Sequence, residues 1–152
     1  MDERDEKWMS VALKAARLAG ANAEVPIGAC IISEQGTMLA AAFNRTIADG
    51  DPTAHAEILA IREAAQRIGN YRLLGTTLYS TVEPCAMCAG AMVNARIRRL
   101  VYGAADERFG AVRTHFGLCD SPLLNHRIEI TSDILADESR RLMQDFFRTR
   151  RK

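Results

Sequence analysis

The amino-acid sequence predicts an α/β fold in which a mixed sheet is covered by helices on both faces. Two observations carry this expectation. Segments with helical apolar spacing alternate with short runs rich in β-branched and apolar residues, in the order α-β-β-α-β-α-β-loop-β-α. The link through Gln35-Gly36 is also short enough to be a hairpin, so the sheet is not wholly parallel. The 152 residues are one domain's worth of chain, read as a single domain over 1–152.

Each element follows from its local pattern. Residues 5–20 carry Trp8, Ala12, Ala15, Ala16 and Ala19 at helical spacing, with Leu13 beside that stripe and Gly20 as the stop. Ile27 to Ile32 is a nearly continuous apolar run, as expected of a strand buried on both faces. Met38 to Phe43 follows the turn as a second strand, although Ala40-Ala41-Ala42 is weak strand material. A polar loop spans Ile47 to Pro52, and Thr53 opens a helix to Ile68 that Gly69-Asn70 closes. Thr76 to Val82 is a third strand, and Cys85 to Ala95 is a helix begun by Pro84. Arg99 to Tyr102 is a fourth strand, 104–125 is irregular, and Ile128 to Thr131 is a last strand. Asp133 to Arg148 closes the chain as a helix, with Leu135, Leu142, Phe146 and Phe147 as candidates for its buried face.

Composition excludes several classes. Lys+Arg is 20 and Asp+Glu is 19, a net charge of +1, which does not suit a general polyanion coat. Hydrophobic residues at 48% and charged residues at 26% are ordinary globular values and argue against disorder. No apolar run approaches the roughly 18 residues of a membrane helix, so no membrane partner is expected. The charged start MDERDEK has no apolar core of a secretory signal. Four cysteines without such a signal read as thiols or metal ligands in a reducing cytoplasm.

The chemistry concentrates in two short motifs. His55-Ala56-Glu57 falls in the first turn of the second helix, and Pro84-Cys85-Ala86-Met87-Cys88 falls at a strand-to-helix junction. Two sulfurs at Cys-x-x-Cys spacing reach one ion, and the helix N-terminus favours thiolate. With His55 as a third ligand, the set His55, Cys85 and Cys88 has the N/S softness suited to zinc. Cys30 reads as a core residue of an apolar strand, and Cys119 lies in the irregular region. Neither closes the site, so three ligands and a water are favoured, the pattern of a catalytic zinc. Residues two apart on a helix do not share a face, so His55 and Glu57 converge only if the ion lies between two helix starts. There Glu57 is placed to take a proton from water and pass it on. A redox-active Cys-x-x-Cys, or a zinc-stabilised binding module without activity, are the rival readings. His115 and His126 read as surface or loop-packing residues, and Met87 and Met92 as helix packing.

His-x-Glu followed by Pro-Cys-x-x-Cys is the established signature of the zinc nucleobase deaminases. Around it, the chain resembles the bacterial tRNA adenosine deaminases over most of residues 8–151. The similar segments include Glu24-Val25-Pro26-Ile27-Gly28-Ala29, Phe43-Asn44-Arg45, Asp51-Pro52-Thr53-Ala54-His55-Ala56-Glu57-Ile58, Asn125-His126-Arg127 and Asp145-Phe146-Phe147-Arg148. The resemblance implies a cytidine-deaminase-like α/β/α sandwich with a mixed five-stranded sheet, acting as a cytoplasmic homodimer with one zinc ion per subunit. It implies hydrolytic deamination of adenosine to inosine at the wobble position of a tRNA anticodon, by zinc-activated water. His55, Cys85 and Cys88 are then the ligands and Glu57 the proton shuttle. Asn44 would hydrogen-bond the flipped nucleoside, Val25, Pro26 and Ala54 would line the base pocket, and Asp106 would touch the ribose-phosphate. Phe146, Phe147, Arg148 and Arg150 would help grip the anticodon loop. The departures concentrate in 108–124.

The same zinc chemistry serves a deaminase of a free nucleobase or nucleoside (guanine, cytosine or cytidine). What favours RNA is charge placement: Arg140 to Lys152 holds Arg140, Arg141, Arg148, Arg150, Arg151 and Lys152 against Asp145 alone. Arg96, Arg98 and Arg99 form another basic cluster.

Overall fold

The computed structural model describes residues 2–150. Its elements are α1 (Glu3–Ala21), β1 (Gly28–Ile32), β2 (Met38–Phe43), α2 (Ala56–Ile68), β3 (Thr77–Val82), α3 (Ala86–Asn94), β4 (Arg99–Ala104), β5 (Glu129–Thr131) and α4 (Ala136–Arg150). The strands form one sheet in the order β2-β1-β3-β4-β5. β1 pairs antiparallel with both β2 and β3, whereas β3–β4 and β4–β5 are parallel. The mixed five-stranded sheet is therefore as expected.

Alternation along the strands divides the core into two layers. Ile31, Leu78 and Leu100 join Ala60, Leu73 and Met92 on the side of α2 and α3. Cys30, Tyr79 and Val101 join Met9, Ala12, Leu13 and Ile134 on the opposite side, which α1 and α4 cover. The central strands β1 and β3 are buried along their whole length. Gly36, at φ 88°, makes the turn between β1 and β2 that the sequence predicts.

Helix ends show where local pattern and structure part. Gly20 lies inside α1, which runs on to Ala21. Asn22 caps it, its side-chain amide donating to the Leu18 carbonyl at 2.7 Å. Met9, not Trp8, takes the core position on α1, because Met9 shares a stripe with Ala12, Leu13 and Ala16. Trp8 sits at the edge of that stripe, where the Lys7 ammonium lies 4.6 Å from its ring centre. α2 begins at Ala56 and not at Thr53, because the carboxylate of Asp51 accepts from the backbone N–H and hydroxyl of Thr53 and makes a turn there. α4 begins at Ala136 because Asp133 and Leu135 have φ of 67° and 52°, outside any right-handed helix.

The expected buried face of α4 is corrected in part: Leu135 and Leu142 pack half-buried against the core layer on the α1 side, but Phe147 does not join them. Ala136 and Ser139 are its buried residues, Leu142 and Phe146 are half-buried, and Phe147 is exposed. The reason is close approach: a Cβ at Gly103 would stand 2.6 Å from Ser139 Oγ, so only small residues fit where α4 meets β4. The basic cluster Arg96, Arg98 and Arg99 is held by internal partners. Arg96 donates to Asn125, Arg98 pairs with Glu129, and Arg99 pairs with Asp5.

Candidate active site

α2 and α3 present their N-termini to one another. His55 stands immediately before α2 with extended backbone, not in its first turn as the sequence suggests, and Cys85 stands at the same position before α3. Cys88 is one turn further along α3. Cys85 Sγ and Cys88 Sγ each lie 3.5 Å from His55 Nδ1. The three donor atoms all fall within 4.8 Å of one another, the one such cluster among the described residues. An imidazole nitrogen and two sulfurs at this spacing fit a zinc ion, and three protein donors would leave such an ion open to water.

The electrostatics suit a cation. Cys85 Sγ, receiving the Cys88 hydrogen bond and facing His55, is lowered to about 4 although burial opposes this. A thiolate is thus built into the site without the ion. Glu57, in the first turn of α2, is 4% exposed, and burial pushes its carboxyl up to about 7. It lies beside the cluster, within the fields of Cys85 and His55.

Backbone hydrogen bonds bring the expected base-pocket residues to this end of α2. The Asn44 N–H donates to the Ile27 carbonyl at 3.1 Å, and the Arg45 N–H donates to the Ala54 carbonyl at 3.0 Å. Asn44, Pro26 and Ala54 are buried, and Val25 is half-buried. A residue the motifs do not single out holds them there. Glu24, 1% exposed, accepts from the N–H groups of Ile47 and Ala48 at 3.1 and 2.7 Å.

Asp106 lies in the loop after β4, where its carboxylate accepts from the N–H groups of Arg108 and Phe109 at 3.0 and 3.1 Å. That loop forms one wall of a cavity of about 520 Å³ beside Cys85, lined by Cys85, Met87, Arg108, Phe109, His115 and Phe116 among others. Met87 thus faces this cavity rather than serving only to pack its helix, whereas Met92 is core as expected. The other histidine readings hold: His115 meets the Glu107 carbonyl at 2.6 Å and His126 the Ile97 carbonyl at 2.7 Å. Cys30 and Cys119 are both fully buried.

Phe146, Phe147, Arg148 and Arg150 are not brought to the cluster by their own helix, because the sheet stands between α4 and the helices α2 and α3. Their rings and charges engage each other. Phe146 and Phe147 meet edge to face at 5.3 Å, Arg150 lies 4.4 Å from the Phe146 ring centre, and Arg148 pairs with Asp145. Arg140 pairs with Asp137. Arg151 and Lys152 lie outside the described residues. Among the described residues, no helix is long and apolar enough to cross a membrane.

The zinc-binding region of the cytidine and deoxycytidylate deaminases matches residues 2–104. A tRNA-specific adenosine deaminase of Haemophilus influenzae is 46% identical over 150 residues, covering 99% of this chain and 87% of that one. A solved structure from a study of A-to-I editing by tRNA:A34 deaminases at the wobble position superposes with TM-score 0.86. It is 44% identical, with 90% of this chain and 98% of that chain covered. A guanine deaminase from Nitrosomonas europaea is more distant, with TM-score 0.76 and 28% identity over 93% of this chain and 83% of that one. Similarity of this length and identity, spanning His55, Cys85 and Cys88, places the chain in the zinc-binding cytidine and deoxycytidylate deaminase family, alongside the tRNA-specific adenosine deaminases.

Proposed function

We propose that this protein converts adenosine to inosine by hydrolytic deamination at the wobble position of a tRNA anticodon. The observation that carries the reading is the near-full-length similarity to a tRNA-specific adenosine deaminase, 46% over 150 residues. It is supported by a metal cluster with a buried carboxylate beside it. His55, Cys85 and Cys88 would hold a zinc ion, which when bound would supply an acidified water as the nucleophile.

The remaining chemistry belongs to the chain's own side chains. Glu57 takes the proton of the attacking water and delivers it to adenine N1. It then takes the second proton, from the hydroxyl now on C6, and hands it to the departing amine, so that water is added, ammonia leaves and inosine remains. Asn44 orients the nucleoside by hydrogen bonding, and Val25, Pro26 and Ala54 enclose the base. Asp106 serves the ribose-phosphate side. Phe146, Phe147, Arg148 and Arg150 grip the anticodon loop, and they act on the site across a homodimer, since α4 and the cluster lie on opposite faces of one chain's sheet. An anticodon loop is already single-stranded, so splaying out its base costs less than extrusion from a duplex. The working compartment is the cytoplasm.

The test uses zinc-loaded protein and an anticodon stem-loop with a wobble adenosine, with inosine read by mass spectrometry and Glu57→Ala as the inactive control. A stem-loop left unchanged by the wild type would sink the reading. The resemblance to a guanine deaminase supplies the second reading. Turnover of free guanine with no turnover of RNA would establish that reading instead.

A further inference from the structure

Glu83 directly follows β3 and precedes Pro84 and the ligand Cys85. Its side chain is 3% exposed, and a buried carboxylate is tolerated only when its oxygens are fully hydrogen-bonded. Every partner it has comes from the loop after β4. Oε2 accepts from the N–H groups of Val112, Arg113 and Thr114 at 3.1, 2.9 and 3.0 Å. Oε1 accepts from the Asp106 N–H at 3.1 Å and the Thr114 hydroxyl at 2.5 Å. A second observation is steric. A Cβ at Gly110 would stand 2.4 Å from the Glu83 carboxylate, so the loop closes on this anion only because a glycine is there. The loop has no helix or strand of its own to hold it, and it carries Arg108, Phe109, His115 and Phe116, which wall the cavity at Cys85.

We propose that Glu83 is a positioning residue: it seats the 106–116 loop as the substrate-side wall of the metal site and thereby sets how tightly the RNA is held. This rests on the tRNA reading above. Strand and loop are tied through one carboxylate two residues from a metal ligand, so the wall is registered to the metal rather than to the sheet as a whole. An amide in its place presents N–H groups to backbone donors and cannot make the same set of bonds.

The test compares the zinc-loaded wild type with Glu83→Gln and Gly110→Ala. Amide hydrogen exchange is expected to show Val112, Arg113 and Thr114 protected in the wild type and unprotected in both variants, with β1 and β3 unchanged. With the stem-loop, KM is expected to rise about tenfold or more, as loss of charge-assisted bonds implies. kcat and zinc content should stay within about twofold of wild type. Gly110→Ala leaves strand and carboxylate intact, so it decides the matter if Glu83→Gln fails to fold. Unchanged loop protection, or an unchanged KM, overturns the proposal, as does loss of zinc or of kcat without a change in KM. A wild type inactive on the stem-loop overturns the tRNA reading and the effect on KM with it, while the exchange measurement still decides whether Glu83 anchors the loop.

Discussion

Arg99 on β4 grips the Asp5 carboxylate at the start of α1 through two parallel hydrogen bonds of 2.9 and 2.6 Å. The Tyr79 hydroxyl donates to the same carboxylate at 2.8 Å, and Arg99 also reaches Thr131 on β5 at 2.9 Å. One network thus ties the first helix to three strands. Burial tends to raise the Asp5 pKa, but the bonds from Arg99 and Tyr79 outweigh it, and the carboxyl is held below its usual range.

Asp5→Asn is expected to cost about 3 kcal/mol, the low end for breaking a buried pair, because Arg99 still touches solvent at 21% exposure. The sign with pH follows from the lowered value. The stabilisation is fully present above the unfolded pKa of about 3.9 and is lost as pH falls through the folded value. Denaturant midpoints measured from neutral pH downward should fall more steeply in the wild type than in Asp5→Asn. Parallel acid limbs would refute this account.

Gly28→Ala is expected to be among the most damaging single-methyl additions. The new Cβ would stand 2.1 Å from the Ala12 carbonyl oxygen and 2.6 Å from the Ala16 nitrogen, so the backbone of α1 itself must move. A loss of about 3 kcal/mol or more is expected by equilibrium unfolding, the upper end for overpacking. At Gly90 a Cβ meets nothing within 4 Å, so Gly90→Ala, lying inside a helix, should be neutral or mildly stabilising by comparison.

Removing the metal separates a catalytic site from a structural one. Both core layers are built on the sheet and do not include the ligands His55 and Cys85. Chelation should therefore abolish activity while leaving the far-ultraviolet circular dichroism largely unchanged; a structural zinc would unfold the chain. Alkylation followed by mass spectrometry reads the thiols in the same sample. Cys30 and Cys119, fully buried and pushed up to about 12, should stay unmodified in the folded protein at neutral pH. Cys85, half-buried and lowered to about 4, should react first once the metal is gone.

Arg148→Ala and Arg150→Ala test the proposed RNA grip. Each lost phosphate contact should weaken binding of the anticodon stem-loop and make the slope of log affinity against log salt shallower by about 0.7, the value for single strands. Arg148 is already paired with Asp145, so its effect should be the smaller of the two. Equal slopes for wild type and both variants would remove these residues from the interface.

By itself the sequence determined which elements form and what chemistry they carry. Apolar period and turn residues suffice for the strands, for Gly36 in its turn and for Gly69 at the end of α2, because these depend on neighbours along the chain. The metal ligands were legible for the same reason, since Cys-x-x-Cys and His-x-Glu are local spacings. Tertiary structure alone decided the rest. That the two helix starts face each other at 3.5 Å, that Arg99 answers Asp5, and that Glu83 gathers the 106–114 backbone are all contacts between distant segments. Helix boundaries shifted where a side chain such as Asp51 or Asn22 competed for backbone partners. The buried carboxylates Glu24 and Glu83 look like surface charges in sequence. Only the folded chain reveals them as loop anchors, because an anion is stable in the interior only where other parts of the chain bring it enough N–H donors.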